Sequence, residues 1–367
     1  MSLRRKKIKV LVVDDSAVMR KLIPGLLEQD PCIEVVATAI DGDFALNKVE
    51  QLKPDVVTLD IDMPRLDGIT VLERIVSRSS VPVVMLSSLT TRGAALTMKA
   101  LELGAVDFVC KPKGIEQISA VASELIAKVK GAAKGKSVSH VDGGNASQTL
   151  VSQMGYRGSD SRKKLAGRKE IIAIGASSGG PHAMRYMLPR IPADIGAGIV
   201  IVQHMPESFT AMLAKWLDEM CELEVLEARD GDDIVPGRVL IAPGNRHMKV
   251  KRKASGAVVV LEGGGVVSGH MPSVDVLFMS VAEQYREEAT SLIMTGMGSD
   301  GVIGMGEILK SGGHTLAQDQ ESCAIFGMPR VAIDKGFVDR ILPLTEIAPY
   351  LVSSVGRVSD LEVTSNA

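Results

Sequence analysis

Two successive α/β regions, each built on a largely parallel sheet covered by helices, are what this sequence predicts. Three observations carry the prediction. Short apolar runs rich in Val, Ile and Leu alternate with helix-like stretches from Ile8 to about Lys130, and a second such alternation begins near Ile171. Between them the periodicity dissolves, and 367 residues exceed what one ordinary core accommodates. The expected boundaries are 1–130 for the first domain, 131–168 for a linker, 169–357 for the second domain and 358–367 for a tail.

Composition narrows the class. With 46% hydrophobic residues and 3% aromatics, the chain reads as a soluble protein. A net charge of -2 gives no general attraction to nucleic acid, and no helix-turn-helix pattern with a basic recognition helix is present. The basic start, Arg4 to Lys7, precedes an apolar run that Asp14 and Asp15 end after six residues, so it reads as a first strand and not a signal peptide. No run reaches membrane-spanning length, so no membrane insertion is expected. Cys32, Cys110, Cys221 and Cys323 lie far apart without a C-x-x-C pair, which suggests neither disulfides nor zinc and fits a reducing, cytoplasmic setting.

In the first region the strands are IKVLVV, EVVATA, DVVTLD, VPVVMLSS and AVDFVCKP, with a helix expected from about Ser16 to Gln29 after the first. Polar residues close these strands: Asp14 and Asp15, Asp60, Ser87 and Ser88, Lys111 with Pro112. In an open parallel sheet the carboxyl edge is where ligands sit. Three carboxylates meeting there repel one another unless a cation joins them, and all-oxygen ligation selects Mg²⁺. Asp60 can then attack phosphorus as a carboxylate nucleophile, with Lys111 and Ser87 binding the transferred oxygens. Taken singly, each is an ordinary solvated loop residue; their succession at strand ends argues for a site.

LVVDDS, TLDIDMPRLDG, VVMLSS and GAVDFVCKP together resemble a two-component receiver domain over roughly Ile8 to Lys130. The resemblance implies a flavodoxin-like fold with five parallel strands and Asp60 as phosphoacceptor. It implies Asp14 and Asp15 as the acidic metal site, the backbone carbonyl of Asp62 as a further ligand, Ser87 as switch hydroxyl and Lys111 as phosphate-binding lysine. It also implies a histidine kinase as phosphodonor.

From Gly131 to about Lys169 the chain is rich in Gly, Ser, Ala and Lys and reads as a flexible basic linker, in which His140 has no evident role. Beyond it lie the apolar runs IIAIG, GIVIVQH, VLEAR, RVLIAPG, AVVVLEGGG, SLIMTG and HTLAQ. Helices are expected around His182–Leu188, Phe209–Met220, Ser273–Arg286 and Gly301–Lys310, and a Gly-rich hairpin at AVVVLEGGGVV. The sheet should be mostly parallel, in an α/β/α domain.

Gly175-Ala176-Ser177-Ser178-Gly179 matches G-x-S-x-G, which holds a serine hydroxyl up on a tight strand-to-helix turn. Similar turns also hold phosphates, or nothing. If Ser177 is a nucleophile it needs a base. His204 follows the buried run GIVIVQ and sits at the same sheet edge, whereas His182 lies inside the next helix and His247, His270 and His314 occupy loops or strand starts, where packing or surface roles are the default. A third group must fix the imidazole tautomer. Asp300, closing TGMGSD among three glycines, is the first choice; Asp275 and Asp319 are rivals, the former better placed as a first-turn helix acid. The order Ser, His, Asp differs from that of α/β-hydrolases, so a convergent triad on another fold is implied.

GASSGG, VQHMP, IAPGNRHM, HMPSVD, TGMGSDG and CAIFGMPR resemble the catalytic domain of the chemotaxis protein-glutamate methylesterases, CheB, a family that joins this domain to a receiver through a linker. The resemblance covers essentially the whole chain. It implies Ser177 as nucleophile, His204 as base, Asp300 as its orienting partner and the backbone N–H of Met297 as oxyanion donor, with Ser178 standing where threonine is frequent. It implies methyl-accepting chemoreceptors as substrate, hydrolysis of glutamate γ-methyl esters, deamidation of receptor glutamines, no cofactor in the catalytic domain, and a receiver that covers the catalytic face until it is phosphorylated. The competing reading is a receiver-linked binding protein in which GASSGG cradles a nucleotide phosphate. Against it stand the spacing, which is not G-x-G-x-x-G, and the absence of an acidic residue closing the next strand.

Overall fold

The computed structural model describes residues 7–112, 114–134, 170–254 and 256–355. His140, the remainder of the expected linker and the expected tail from 358 lie outside the described residues.

The first region runs β1 (Ile8–Val13), α1 (Met19–Leu27), β2 (Ile33–Ala39), α2 (Gly42–Leu52), β3 (Val56–Asp60), α3 (Gly68–Arg78), β4 (Val83–Ser87), α4 (Thr91–Glu102), β5 (Asp107–Cys110) and α5 (Ile118–Lys134). The five strands are parallel in the order β2-β1-β3-β4-β5. Their runs are nearly continuous in apolar residues because both faces are covered. Val10, Val12, Val84 and Leu86 pack toward α1 and α5, while Leu11, Val13, Leu59 and Met85 face the other layer. Two boundaries differ from expectation. The first helix starts at Met19, since Ser16 is held in a turn by its N–H to Asp14 Oδ1 at 2.9 Å. The last continues to Lys134, four residues into the Gly- and Ala-rich stretch, where Gly131 and Ala132 are buried and a Cβ on Gly131 would stand 2.9 Å from Ala324 O.

The second region runs β6 (Ile171–Ala176), α6 (Gly180–Met187), β7 (Gly198–Gln203), α7 (Glu207–Asp218), β8 (Glu224–Glu227), β9 (Arg238–Ile241), β10 (His247–Lys253), β11 (Gly256–Glu262), α8 (Val274–Tyr285), β12 (Ala289–Ile293), α9 (Val302–Lys310), β13 (His314–Gln318), α10 (Met328–Asp334), β14 (Arg340–Leu342) and α11 (Leu344–Val355). Seven strands form one parallel sheet, β14-β13-β12-β6-β7-β9-β8, with β6 in its centre. The expected Gly-rich hairpin is corrected: β11 is the second strand of an antiparallel pair with β10, and the glycine run follows it. β10, HMKVKRK, alternates buried Met248 and Val250 with outward basic residues, so it lacks the continuous apolar run of the sheet strands.

The two regions touch directly. Phe108 of β5 stacks on Phe209 of α7, with ring centroids 4.9 Å apart. His182 of α6 bonds Ala105 O at 2.5 Å, and Arg185 donates to Glu102 O at 3.2 Å. Asp107 Oδ2 accepts from the Gly179 N–H at 3.0 Å, while its Oδ1 lies 3.2 Å from the buried Lys128 ammonium. Among the described residues no helix is long and apolar enough to cross a membrane.

Candidate functional site

β6 is buried along its whole length and delivers Ser177 to the carboxyl edge of the central strand. The turn that follows is fixed by its own backbone. Ser177 N–H donates to Thr295 O at 3.0 Å, and Ser177 O accepts from Gly180 N–H at 2.8 Å and Gln203 Nε2 at 2.9 Å. Gly179 turns at φ +77°, which only glycine adopts without strain. Gly296 is needed for closeness: a Cβ there would stand 2.8 Å from Ser177 Cβ. Ser177 is half-buried and Ser178 buried, so the first serine is the one presented.

These bonds count against the nucleotide-loop reading, since three amides of the turn are already taken, that of Ser177 by Thr295, that of Gly179 by Asp107 and that of Gly180 by Ser177.

His204 stands beside Ser177 because β7 pairs with β6 in register up to Ala176 and Gln203, and His204 N–H continues the ladder to Ala176 O at 3.1 Å. Its Nε2 lies 2.8 Å from Asp300 Oδ2. Asp300 is buried at the N-terminus of α8, where Ser273 Oγ donates to Oδ1 at 2.8 Å, Val274 N–H to Oδ2 at 2.8 Å and Asp275 N–H to Oδ1 at 3.0 Å. Burial alone would raise its pKa. The His204 hydrogen bond and charge, together with the helix amides, outweigh that and hold the carboxyl below its ordinary value.

The imidazole is thus anchored at one nitrogen. His204 Nδ1 is buried with no hydrogen-bond partner, and Ser177 Oγ makes no hydrogen bond among the described residues. The nitrogen left for a serine is therefore Nδ1, the reverse of the trypsin-like template in which the carboxylate takes Nδ1. Met297 follows Gly296, is 40% exposed, and its N–H makes no hydrogen bond among the described residues.

The rivals go elsewhere. Asp319 accepts from Ser322 N–H and Oγ in a loop, and Asp275 accepts from Ser268 Oγ at 2.6 Å and Gly304 N–H at 2.8 Å. His247 Nδ1 accepts from Ser273 N–H at 3.2 Å, and His314 bonds Asp339 and Tyr350. His270 was expected to have a loop or packing role. It does pack, and the ring it packs flat against is that of His204, with centroids 3.7 Å apart and planes within 10°. Alternation of strands and helices carries no signal for that contact, because a loop brings His270 there.

At the edge of the first sheet, ligand atoms of Asp14, Asp15 and Asp60 lie within 4.8 Å of one another. Lys111 Nζ sits 2.7 Å from Asp60 Oδ2 and 2.9 Å from Asp14 Oδ2. That Asp14 oxygen is buried and lies against the Lys111 ammonium, and the three carboxylates together offer the all-oxygen donor set that suits a divalent cation. Burial raises the Asp60 pKa to about 6 against the opposing pull of Lys111. Asp62 N–H donates to Asp60 Oδ1 at 3.3 Å, turning the loop back over the cluster. Ser87 does not reach Asp60 directly: its hydroxyl is buried and engaged with α4, accepting from Thr97 Oγ1 at 2.8 Å and donating to Gly93 O at 3.3 Å.

A receiver-type sheet with a carboxylate cluster, joined to a parallel α/β domain that gathers serine, histidine and aspartate at its carboxyl edge, defines a response regulator with a hydrolase-like output domain. Family models agree with both halves: residues 10–123 match the response regulator receiver domain and residues 172–351 the CheB methylesterase. A protein-glutamate methylesterase/protein-glutamine glutaminase 2 of Koribacter versatilis is 46% identical over 98% of this chain and 100% of that protein. A protein-glutamate methylesterase/protein-glutamine glutaminase of Symbiobacterium thermophilum is 45% identical over 96% of this chain and 98% of that protein. The crystal structure of the Thermotoga maritima CheB methylesterase catalytic domain matches with a TM-score of 0.50 and 38% identity, covering 51% of this chain and 99% of that one. The chain belongs to the CheB protein-glutamate methylesterase family.

Proposed function

We propose that this protein hydrolyses glutamate γ-methyl esters of chemoreceptors, and deamidates receptor glutamines, through Ser177, His204 and Asp300, under control of phosphorylation at Asp60. The observation that carries the catalytic half is the buried His204–Asp300 pair at 2.8 Å, which leaves Nδ1 as the free nitrogen beside the strand end that presents Ser177. Ser177 Oγ attacks the ester carbonyl carbon while its proton passes to His204 Nδ1. Asp300 stabilises the imidazolium, and the Met297 N–H faces the developing oxyanion. The C–O bond to the methoxy group then breaks, with the proton returned from His204 to release methanol. Water, deprotonated by His204, cleaves the acyl-enzyme to a glutamate carboxylate. With an amide the same steps release ammonia.

Asp60 accepts a phosphoryl group from a histidine kinase or a small phosphodonor: its carboxylate oxygen bonds to phosphorus as the bond to the donor breaks. Asp14, Asp15 and Asp60, with the carbonyl of Asp62, would hold Mg²⁺, which when bound neutralises charge on the transferred group. Lys111 pairs with its oxygens. Ser87 is tied to α4, so drawing its hydroxyl toward the phosphoryl moves the element that carries the Leu101 and Glu102 carbonyls bound by Arg185. Receiver and catalytic region then part, and Ser177 becomes accessible to receptor helices in the cytoplasm for sensory adaptation.

The test is methanol release from a methylated receptor cytoplasmic fragment, with and without a small phosphodonor and Mg²⁺. Ser177→Ala abolishes release in both conditions, and Asp60→Asn keeps the basal rate but loses stimulation. Substantial release by Ser177→Ala would overturn the catalytic assignment, and stimulation of Asp60→Asn would move the acceptor elsewhere.

A further inference from the structure

The segment from His270 to Asp275 does more than open α8. Ser273 Oγ and the N–H groups of Val274 and Asp275 grip the Asp300 carboxylate along its edge. Three residues before Ser273, the ring of His270 covers the face of His204 at 3.7 Å. One short stretch of chain therefore holds both members of the His–Asp pair. His270 is itself fixed at the backbone, exchanging hydrogen bonds of 3.0 Å in both directions with Val267. Among the described residues its ring nitrogens make no hydrogen bond, so what it offers His204 is its flat face.

His204 needs such a contact because, among the described residues, its ring is hydrogen-bonded through one nitrogen. A ring held at one nitrogen can tilt about that bond and swing the opposite nitrogen away from its target. Misplacement of a reacting group by about 1 Å costs roughly 10²-fold in rate. A second ring lying parallel against the first blocks that tilt by van der Waals contact over its whole face.

The geometry points to His270 as a positioning residue for the hydrolysis: its face fixes the plane of His204 so that Nδ1 stays directed at Ser177 Oγ. This rests on the proposed roles of Ser177 and His204. Burial and the neighbouring His204 charge lower the His270 pKa to about 4, so at neutral pH the ring is uncharged and accepts an imidazolium against it without like-charge repulsion. The Asp300 carboxylate pulls in the opposite direction and is outweighed.

The experiment uses the full chain, measuring kcat and KM for methanol release separately, together with the rate at which a small phosphonate modifies Ser177. His270→Ala is expected to lower kcat and the phosphonylation rate about 10- to 100-fold while KM changes by less than about twofold, because orientation and not binding is lost. His270→Phe keeps a flat face without nitrogens and is expected to restore most of the loss; it also shows that the loop tolerates substitution. Wild-type rates in His270→Ala would overturn the inference. So would a His270→Phe enzyme as slow as His270→Ala, since that result assigns the role to a ring nitrogen. His204→Ala serves as the separate control: full activity in that variant would overturn the proposed base, whereas its inactivity combined with an unaffected His270→Ala overturns the positioning role alone.

Discussion

Asp300 shows at the level of one residue how burial and hydrogen bonding compete. Its carboxylate lies out of water, yet His204, Ser273 and two N–H groups of α8 keep it charged. Asp300→Asn preserves the shape but offers an amide where donors converge and favours the wrong imidazole tautomer. The expected result is a loss in kcat on the order of 10⁴-fold with a folded protein. The same group makes a prediction about acid stability. A carboxyl whose folded pKa is depressed contributes stability that is fully present above its unfolded value, 3.8, and is lost as pH falls through the lower folded value. Denaturant midpoints of the wild type should therefore drop below about pH 4, and those of Asp300→Asn should fall less steeply. The placement of Ser177, His204 and Asp300 at one sheet edge was legible in the sequence because each follows an apolar strand. His270 was not, since its position depends on a loop that folds back over another strand's end.

Elements were legible where their residues repeat and obscure where they do not. The inner sheet strands β3, β4, β6, β7 and β12 are largely apolar runs buried along their whole length, and each was legible as such in the sequence. β10 hides among lysines and arginines, three-residue β14 is too short for any period, and Pro349 interrupts the pattern of α11. The glycine run after β11 looked like a hairpin turn, but the turn lies at the other end of that strand. Close approach between elements is set by glycines whose cost is visible only in three dimensions. A Cβ on Gly296 would stand 2.4 Å from Met328 Sδ and 2.8 Å from Ser177 Cβ, so the loop after β12 must move away from the serine. Gly296→Ala should lower kcat by at least about tenfold and destabilise the fold by about 1–3 kcal/mol, compared by methanol release and urea unfolding. In the first region, Gly68→Ala drives a Cβ to 2.0 Å from Asp60 O, and phosphorylation by a small donor should fall with it.

At the scale of the whole molecule, the contact between the regions joins the sheet that carries Asp60, the proposed phosphoacceptor, to the turn that carries Ser177, the proposed nucleophile. β5 ends at Cys110, next to Lys111, and begins at Asp107, whose carboxylate holds the Gly179 N–H two residues past Ser177. Lys128, buried between Asp107 and Glu124, would lose its charge by burial alone, yet the two carboxylates push its pKa upward and keep it cationic. Lys128→Met removes that charge and leaves Asp107 buried beside an apolar stem. Breaking a buried pair from one side typically costs about 3–5 kcal/mol, so its unfolding midpoint should drop accordingly. Arg185 is a gentler probe, since it is only half-buried, lies over Trp216, and reaches across the boundary to the carbonyls ending α4. Arg185→Ala removes contacts of the proposed closed arrangement without touching Ser177, His204 or Asp60. Losing one or two hydrogen bonds to a charged donor weakens such an arrangement by about 1.5–3 kcal/mol, which shifts a closed-to-open ratio by roughly 10- to 100-fold. The basal rate of methanol release should therefore rise while the phosphodonor-stimulated rate stays near its wild-type ceiling, so the ratio of the two falls. If Arg185→Ala leaves both rates unchanged, this contact does not hold the receiver against the catalytic face, and control must run through the Asp107–Gly179 bond and the Phe108–Phe209 stack.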